Sequence, residues 1–334
     1  MSDVNRRFLL RERPVGRIDD QTFEYVEEGV PQIGEDEALV RTEWISLDPT
    51  NRTWIADTPT YLPPVAIGEV MRAGAVARVV ASNSDRYTVG QLVQGLVGWQ
   101  DYAVASKEAP LMVMPDIPGV SPSHLLGALG MTGLTAYVGM LDIGKPQAGE
   151  TVVVSAAAGA VGSIAGQLAK RQGARVVGIA GGPDKCALLT GELGFDAAVD
   201  YKADDWHAQL KAATPDGIDV DFENVGGEIM EAVFGRLNIR ARVALCGLIS
   251  GYNDDAPAGP RNFGRLLIQR VHLEGFIVLD HFGRAGEIVP QLAGWMGDGS
   301  LKAQETVVEG FEQLPTAINM LFDGGNVGKL VVKV

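Results

Sequence analysis

Residues 151–170, TVVVSAAAGAVGSIAGQLAK, read as a short apolar strand that breaks at a run of small residues and resumes as a helix. The break spells Ala157-x-Gly159-x-x-Gly162. Small residues there let backbone N–H groups approach a pyrophosphate, whose charge sits at the positive end of the following helix. Gly and Ala also recur in helices that merely pack closely, so the spacing alone is weak. Its place between a strand and a helix is the context a dinucleotide fingerprint requires.

The next strand indicates which dinucleotide. Arg175–Ala180 ends in Gly181-Gly182-Pro183-Asp184-Lys185. A site for NAD(H) places Asp or Glu at this strand end, about 20 residues on, to hold the ribose 2′-OH. Here Gly181 leaves nothing to repel a 2′-phosphate, and Lys185 stands a few residues away to pair with one. Such a charged hydrogen bond is worth roughly 1.5–3 kcal/mol, enough to bias the choice tenfold or more. A lone lysine would read as a solvated helix-start residue; the missing acid turns the expectation toward NADPH.

At 334 residues, two domains are the better prior, and 46% hydrophobic with 21% charged residues is the composition of a soluble globular protein. A net charge of −14 argues against nucleic acid or an anionic membrane as partner. An anionic cofactor therefore needs a locally positive site. Cys186 and Cys246 are too few for a disulfide framework or a four-thiolate zinc site, and they suit a reducing compartment. Residues 1–17 scatter charge among few apolar residues, unlike a signal peptide. The uncharged stretch 151–169 approaches membrane-span length, but its Gly and Ser content and its strand-to-helix break favour a nucleotide-binding unit. A cytoplasmic location is expected.

Residues 1–120 read as mostly β, with short runs at Ala38–Trp44, Gly74–Ala81 and Leu92–Val97 separated by Gly, Pro, Asn and Asp clusters. The two prolines in Tyr61-Leu-Pro-Pro-Val65 make that stretch a surface loop. From about residue 121, strands alternate with helical periods, as in a parallel sheet with crossover helices. The strands are expected at 152–155, 176–180, 197–200, 218–222, 242–246 and 273–278. Phe311, Leu314, Ala317, Ile318, Leu321 and Phe322 fall on one helical face, Gly324-Gly325 ends that helix, and Leu330–Val334 forms a strand returning to the first domain. Ligands of open α/β sheets bind beyond the carboxyl ends of the strands, which puts Asn224 and Tyr252 among the candidates.

Several segments, in order, carry a resemblance: Leu47-Asp-Pro49 with Arg52, Gly98-Trp-Gln-Asp-Tyr102, Gly130–Tyr137, Ala156–Gly162 and Gly181–Cys186. It continues through Glu223-Asn-Val-Gly-Gly227, Cys246–Asn253, Gly275-Phe-Ile-Val278 and Gly325-Asn-Val-Gly-Lys329. The chain resembles the medium-chain dehydrogenase/reductase superfamily, and within it the zinc-free, NADPH-dependent leukotriene B4 12-hydroxydehydrogenase/prostaglandin reductase group, with the bacterial NADPH-dependent curcumin reductases as its nearest likeness. The resemblance implies a Rossmann doubly wound parallel sheet, residues 121–302. It further implies a GroES-like β domain, residues 1–120 and 303–334, with the active site in the cleft between them.

The same resemblance assigns Gly159, Ala160, Val161 and Gly162 to the pyrophosphate, and Gly182, Lys185 and Tyr201 to the adenosine ribose and its 2′-phosphate. Asn224, Cys246, Gly247, Leu248, Ile249, Ser250, Tyr252, Phe276, Ile277, Val278 and Asn326 would line the remaining ribose and the nicotinamide. The implied reaction reduces a C=C bond conjugated to a carbonyl, hydride passing from NADPH to the β-carbon. Tyr252 would donate a hydrogen bond to the carbonyl oxygen or position the ribose; a phenol keeps its proton at neutral pH. Relatives pair as homodimers through the Rossmann sheet edge, here Val271–Val278. Quinone reduction by a sister branch and non-catalytic NADPH binding are the rival readings.

Two departures stand out. Relatives commonly read Asp-Pro-Tyr-Met-Arg where this chain has Asp48-Pro49-Thr50-Asn51-Arg52, and they often carry Pro where it has Thr132. Zinc-dependent members often have Gly-His-Glu where this chain has Gly68-Glu69, and His124, His207, His272 and His281 show no paired ligand spacing, so no zinc is expected.

Overall fold

Val152, Val153 and Val154 have no solvent-exposed surface, as a strand covered by helices on both faces requires. They belong to the central strand, Thr151–Val154, of a six-stranded sheet in the computed structural model of the chain, which describes residues 4–58, 60–115, 120–254 and 259–334. Across that sheet the strands run Ala197–Asp200, Arg175–Ala180, Thr151–Val154, Ile218–Glu223, Leu237–Leu245 and His272–Gly275. Every neighbouring pair is parallel. In chain order this is 3-2-1-4-5-6, the Rossmann arrangement, whose switch point lies between Thr151–Val154 and Ile218–Glu223. The doubly wound parallel sheet expected from the sequence is present.

The helix Ala160–Arg171 presses Ile164, Ala165, Leu168 and Ala169 into the unit's interior. Close packing there needs glycine. A Cβ on Gly166 would stand 2.0 Å from Phe195 Cζ, and one on Gly178 would stand 2.7 Å from Leu189 Cδ1. This unit comprises Gly127–Glu305 and Asn326–Lys329.

The second unit is Met1–Leu126, Thr306–Gly325 and Leu330–Val334. Its main sheet centres on Ala38–Leu47, which pairs antiparallel with Ala75–Ser82, Tyr102–Ala105 and Lys329–Lys333. Burial of Ala38, Val40 and Thr42 with exposure of Arg41 follows the period of two expected for one covered face. The returning strand sets Leu330 opposite Leu47 and Val332 opposite Ile45, as expected. Phe8, Trp99 and Phe311 meet in its core, with Phe8 and Phe311 stacked at 5.2 Å between centroids.

Two elements differ from expectation. The strand expected over 273–278 ends at Gly275, because its partner runs out at Leu245, the residue opposite; a 3-10 segment follows over Val278–Arg284. The helix expected over 311–322 is three short pieces: Phe311–Gln313, Leu314–Ala317 and Met320–Asp323. Tight bonds from Leu321 N to Ile318 O and from Phe322 N to Asn319 O interrupt it, while the Asn319 side chain donates to Ile18 O. Gly324 at φ +68° caps the last piece.

Candidate dinucleotide site

The fingerprint turn is held by contacts that exclude side chains. A Cβ on Gly162 would lie 2.5 Å from Ala156 O and 3.0 Å from Ala157 Cα. Gly162 therefore lets the helix start sit against the strand end. Among the described residues no side chain caps that start. The first N–H groups, at Ala160, Val161 and Gly162, have no partner within the helix by its own geometry. This is the donor set a pyrophosphate takes. Gly328 bridges to Gly159, its N–H donating to Ala158 O at 2.8 Å, and buried Asn326 donates to Gly328 O. The Asn326–Lys329 segment thus clasps the fingerprint turn.

At the end of Arg175–Ala180 the chain turns through Gly181 and Gly182, the latter at φ +97°. A Cβ on Gly181 would meet Tyr201 Cε1 at 2.9 Å and Lys202 Cε at 3.0 Å. Asp200, the nearby acid, spends Oδ1 on the Gly182 and Lys202 N–H groups at 2.7 and 3.0 Å. Burial, and then Lys202, hold the half-buried Lys185 ammonium below its ordinary pKa. Two lysines and a tyrosine ring therefore converge on a glycine corner, an arrangement that an anion would relieve. Lys202 had no role in the sequence reading; its one signal is its place beside Tyr201, just past a strand end.

Past Ile218–Glu223, the Asn224 side chain donates to Ser155 O at 2.7 Å. Asn224 O accepts from Ile249 N–H, and Val225 O accepts from both Ser250 N–H and Ser250 Oγ. These bonds bring Asn224 together with the loop Cys246–Tyr252. Within the loop, Leu248 N–H donates to the Tyr252 phenol oxygen at 3.2 Å. Burial, with Glu223 next, pushes the Cys246 thiol up to about 12, so Cys246 packs there as a thiol rather than a nucleophile. Phe276 lies over Gly139, where a Cβ would meet its Cζ at 2.7 Å, and Ile277 and Val278 follow half-buried.

In the other unit, the departures have structural work. Buried Asn51 accepts from Asp48 N–H and donates to Arg72 O; buried Arg52 donates to Gly16 O and Pro14 O. Thr50 Oγ1 and Tyr61 OH share a hydrogen bond of 2.5 Å, tying Tyr61 to the short helix Thr50–Trp54. Among the described residues no three His, Cys, Asp or Glu gather to hold a metal ion.

A parallel 3-2-1-4-5-6 sheet with a bare, glycine-rich helix start at its first strand is the dinucleotide-binding fold of oxidoreductases. Residues 6–113 match the family described as the N-terminal domain of oxidoreductase, and residues 160–294 match the family described as zinc-binding dehydrogenase. The chain is 44% identical over 336 residues to the NADPH-dependent curcumin reductase of Escherichia coli (strain K12), covering 99% of this chain and 97% of that one. It is 38% identical over 307 residues to the NADP(+)-dependent 2-alkenal reductase of Nicotiana tabacum, covering 91% and 89%. The crystal structure of CurA in complex with NADPH from Vibrio vulnificus superposes with a TM-score of 0.93 at 43% identity, covering 98% of this chain and 99% of that one. The chain belongs to the medium-chain dehydrogenase/reductase superfamily, as its motifs led one to expect.

Proposed function

We propose that this protein is an NADPH-dependent reductase of the C=C bond of α,β-unsaturated ketones and aldehydes, curcumin-like enones included. The corner of Gly181, Lys185, Tyr201 and Lys202, where the nearby Asp200 carboxylate is taken up by backbone N–H groups, carries the cofactor reading. The likeness to curcumin and alkenal reductases over nearly the whole chain supports the substrate class.

NADPH, when bound, supplies the hydride that adds to the β-carbon. The chain's own residues do the rest. The N–H groups of Gly159–Gly162 take the pyrophosphate, and Lys185, Lys202 and Tyr201 take the 2′-phosphate. Asn224, Asn326, the Cys246–Tyr252 loop and Phe276–Val278 orient the ribose and nicotinamide. Tyr252 donates a hydrogen bond to the carbonyl oxygen as negative charge grows there, and the enolate so formed takes its α-carbon proton from water to complete the reduction. The bond its oxygen accepts from Leu248 N–H polarises the phenol toward donation.

We further propose that the enzyme works without zinc, inside the cell, as a homodimer paired through the edge strand His272–Gly275. That strand is bonded on one side within the sheet, with its residues largely exposed on the other. Assays of NADPH and NADH oxidation against enones, enals and a simple quinone test the reading. Fastest turnover with the enone and NADPH is expected. Preference for the quinone would move the protein to the sister branch, and tight NADPH binding without turnover would make it a binding protein. Stoichiometric zinc by metal assay, or a monomer by light scattering, would remove the matching claim.

A further inference from the structure

Glu223 ends the strand Ile218–Glu223 and is fully buried, as is Ser155 at the end of the neighbouring strand. Its Oε1 accepts three bonds, from Ser155 Oγ at 2.8 Å, Val225 N–H at 2.5 Å and Gly226 N–H at 2.9 Å. Ser155 Oγ in turn accepts the Asn224 N–H at 2.8 Å. The backbone carbonyl of Glu223 takes the N–H groups of Cys246 and Gly247 at 2.9 and 3.1 Å. One residue therefore ties together the carboxyl ends of three adjacent strands, at the point where both loops assigned to the nicotinamide half of the cofactor begin.

Asp221 lies two residues back on the same face of this strand, also fully buried, and neither of its oxygens has a hydrogen-bond partner among the described residues. Two such neighbours cannot both ionise cheaply. The donors decide between them: a carboxylate is stabilised by N–H and O–H groups aimed at it, and these all go to Glu223. The negative charge belongs on Glu223 and the proton on Asp221.

We propose that ionised Glu223, acting through Ser155, is the positioning residue that holds Asn224 and the Cys246–Tyr252 loop in their binding geometry before any ligand arrives. The role in binding rests on the NADPH reading; the tether itself does not.

The tether is tested first on the ligand-free protein, by backbone hydrogen exchange over residues 224–227 and 246–252. Glu223→Gln and Ser155→Ala should exchange there about tenfold faster, a charged or hydroxyl anchor being lost. Asp221→Asn, which leaves every one of these bonds in place, should exchange at the wild-type rate. Fluorescence titration with NADPH should then show a Kd raised about tenfold in Glu223→Gln and roughly fivefold in Ser155→Ala, with Asp221→Asn unchanged. Wild-type exchange in Glu223→Gln or Ser155→Ala would overturn the proposal, as would an equal effect of Asp221→Asn. Should Glu223→Gln fail to fold, Ser155→Ala, which removes one hydroxyl, decides the matter. If the wild-type protein binds no NADPH, the coenzyme reading falls while the exchange rates still judge the tether.

Discussion

Lys202 lies across Gly181, its Cε 3.0 Å from the point where a Cβ on that glycine would stand. On the proposed reading, it and Lys185 make the corner selective for an added phosphate. Lys185→Ala and Lys202→Ala should each raise KM for NADPH about tenfold and leave KM for NADH within roughly twofold, one charged hydrogen bond being lost in each. Steady-state kinetics with both coenzymes checks this. Equal effects on the two would remove the 2′-phosphate role.

In the proposed mechanism Tyr252 acts through its hydroxyl alone. Tyr252→Phe keeps the ring and loses both the donor and the acceptor of the Leu248 bond. We expect kcat to fall by ~10-fold or more, with KM for NADPH changed far less, since the lost donor acts where charge develops. An unchanged kcat would confine Tyr252 to holding its loop.

Asp221 should leave a mark on stability as a function of pH. Burial, and then Glu223, raise its carboxyl well above the usual range; unfolded, it titrates near ~3.9. The folded state thus keeps a proton the unfolded chain has given up. Stability from this source is full below about pH 4 and declines as pH rises, until Asp221 itself ionises. The slope is at most one proton's worth, about 1.4 kcal/mol per pH unit. Glu223 beside it is also raised by burial, against the pull of the Gly226, Val225 and Ser155 bonds, and Cys246 enters only in alkali. Asp221→Asn should flatten the decline in urea melts run from pH 5 to pH 8; a slope identical to wild type would mean that Asp221 is ionised in the fold.

Two glycines of one helix separate packing from binding. At Gly166 a Cβ meets the Phe195 ring, so Gly166→Ala should cost about 1–3 kcal/mol by overpacking and leave NADPH affinity close to wild type. At Gly162 the obstacle is the backbone of Ala156 and Ala157, which forms the fingerprint turn itself. Gly162→Ala should lower both the urea midpoint and NADPH affinity. Urea melts and NADPH titration of the pair check the contrast; loss of NADPH affinity confined to Gly166→Ala would contradict it.

The parallel sheet was legible because its signals are local: a valine run, a glycine turn, a helical period, repeated at short intervals. The glycine corner was half legible, since a missing acid can be read at Gly181 but the approach of Lys202 is a matter of how the next strand end folds back. Ser155 and Glu223 carried no signal of their roles. They stand 68 residues apart in sequence, and the bond between them exists because two strands became neighbours in the sheet. The expected helix over 311–322 had the right buried face, yet local bonds around Asn319 broke it into short turns. Apolar periodicity records which side chains go inward and says less about how continuous the backbone is.

The clasp of Gly328 on Gly159 and Ala158 has a consequence for biosynthesis. A nascent chain that has emerged as far as Glu305 already contains all six strands of the nucleotide fold, but its Ala158–Gly159 turn lacks the Gly328 contact until residues 326–329 clear the ribosome exit. Coenzyme capture should therefore wait until residues 326–329 have been made, and ribosome-stalled chains cut before Asn326 should acquire the sheet without acquiring the ligand.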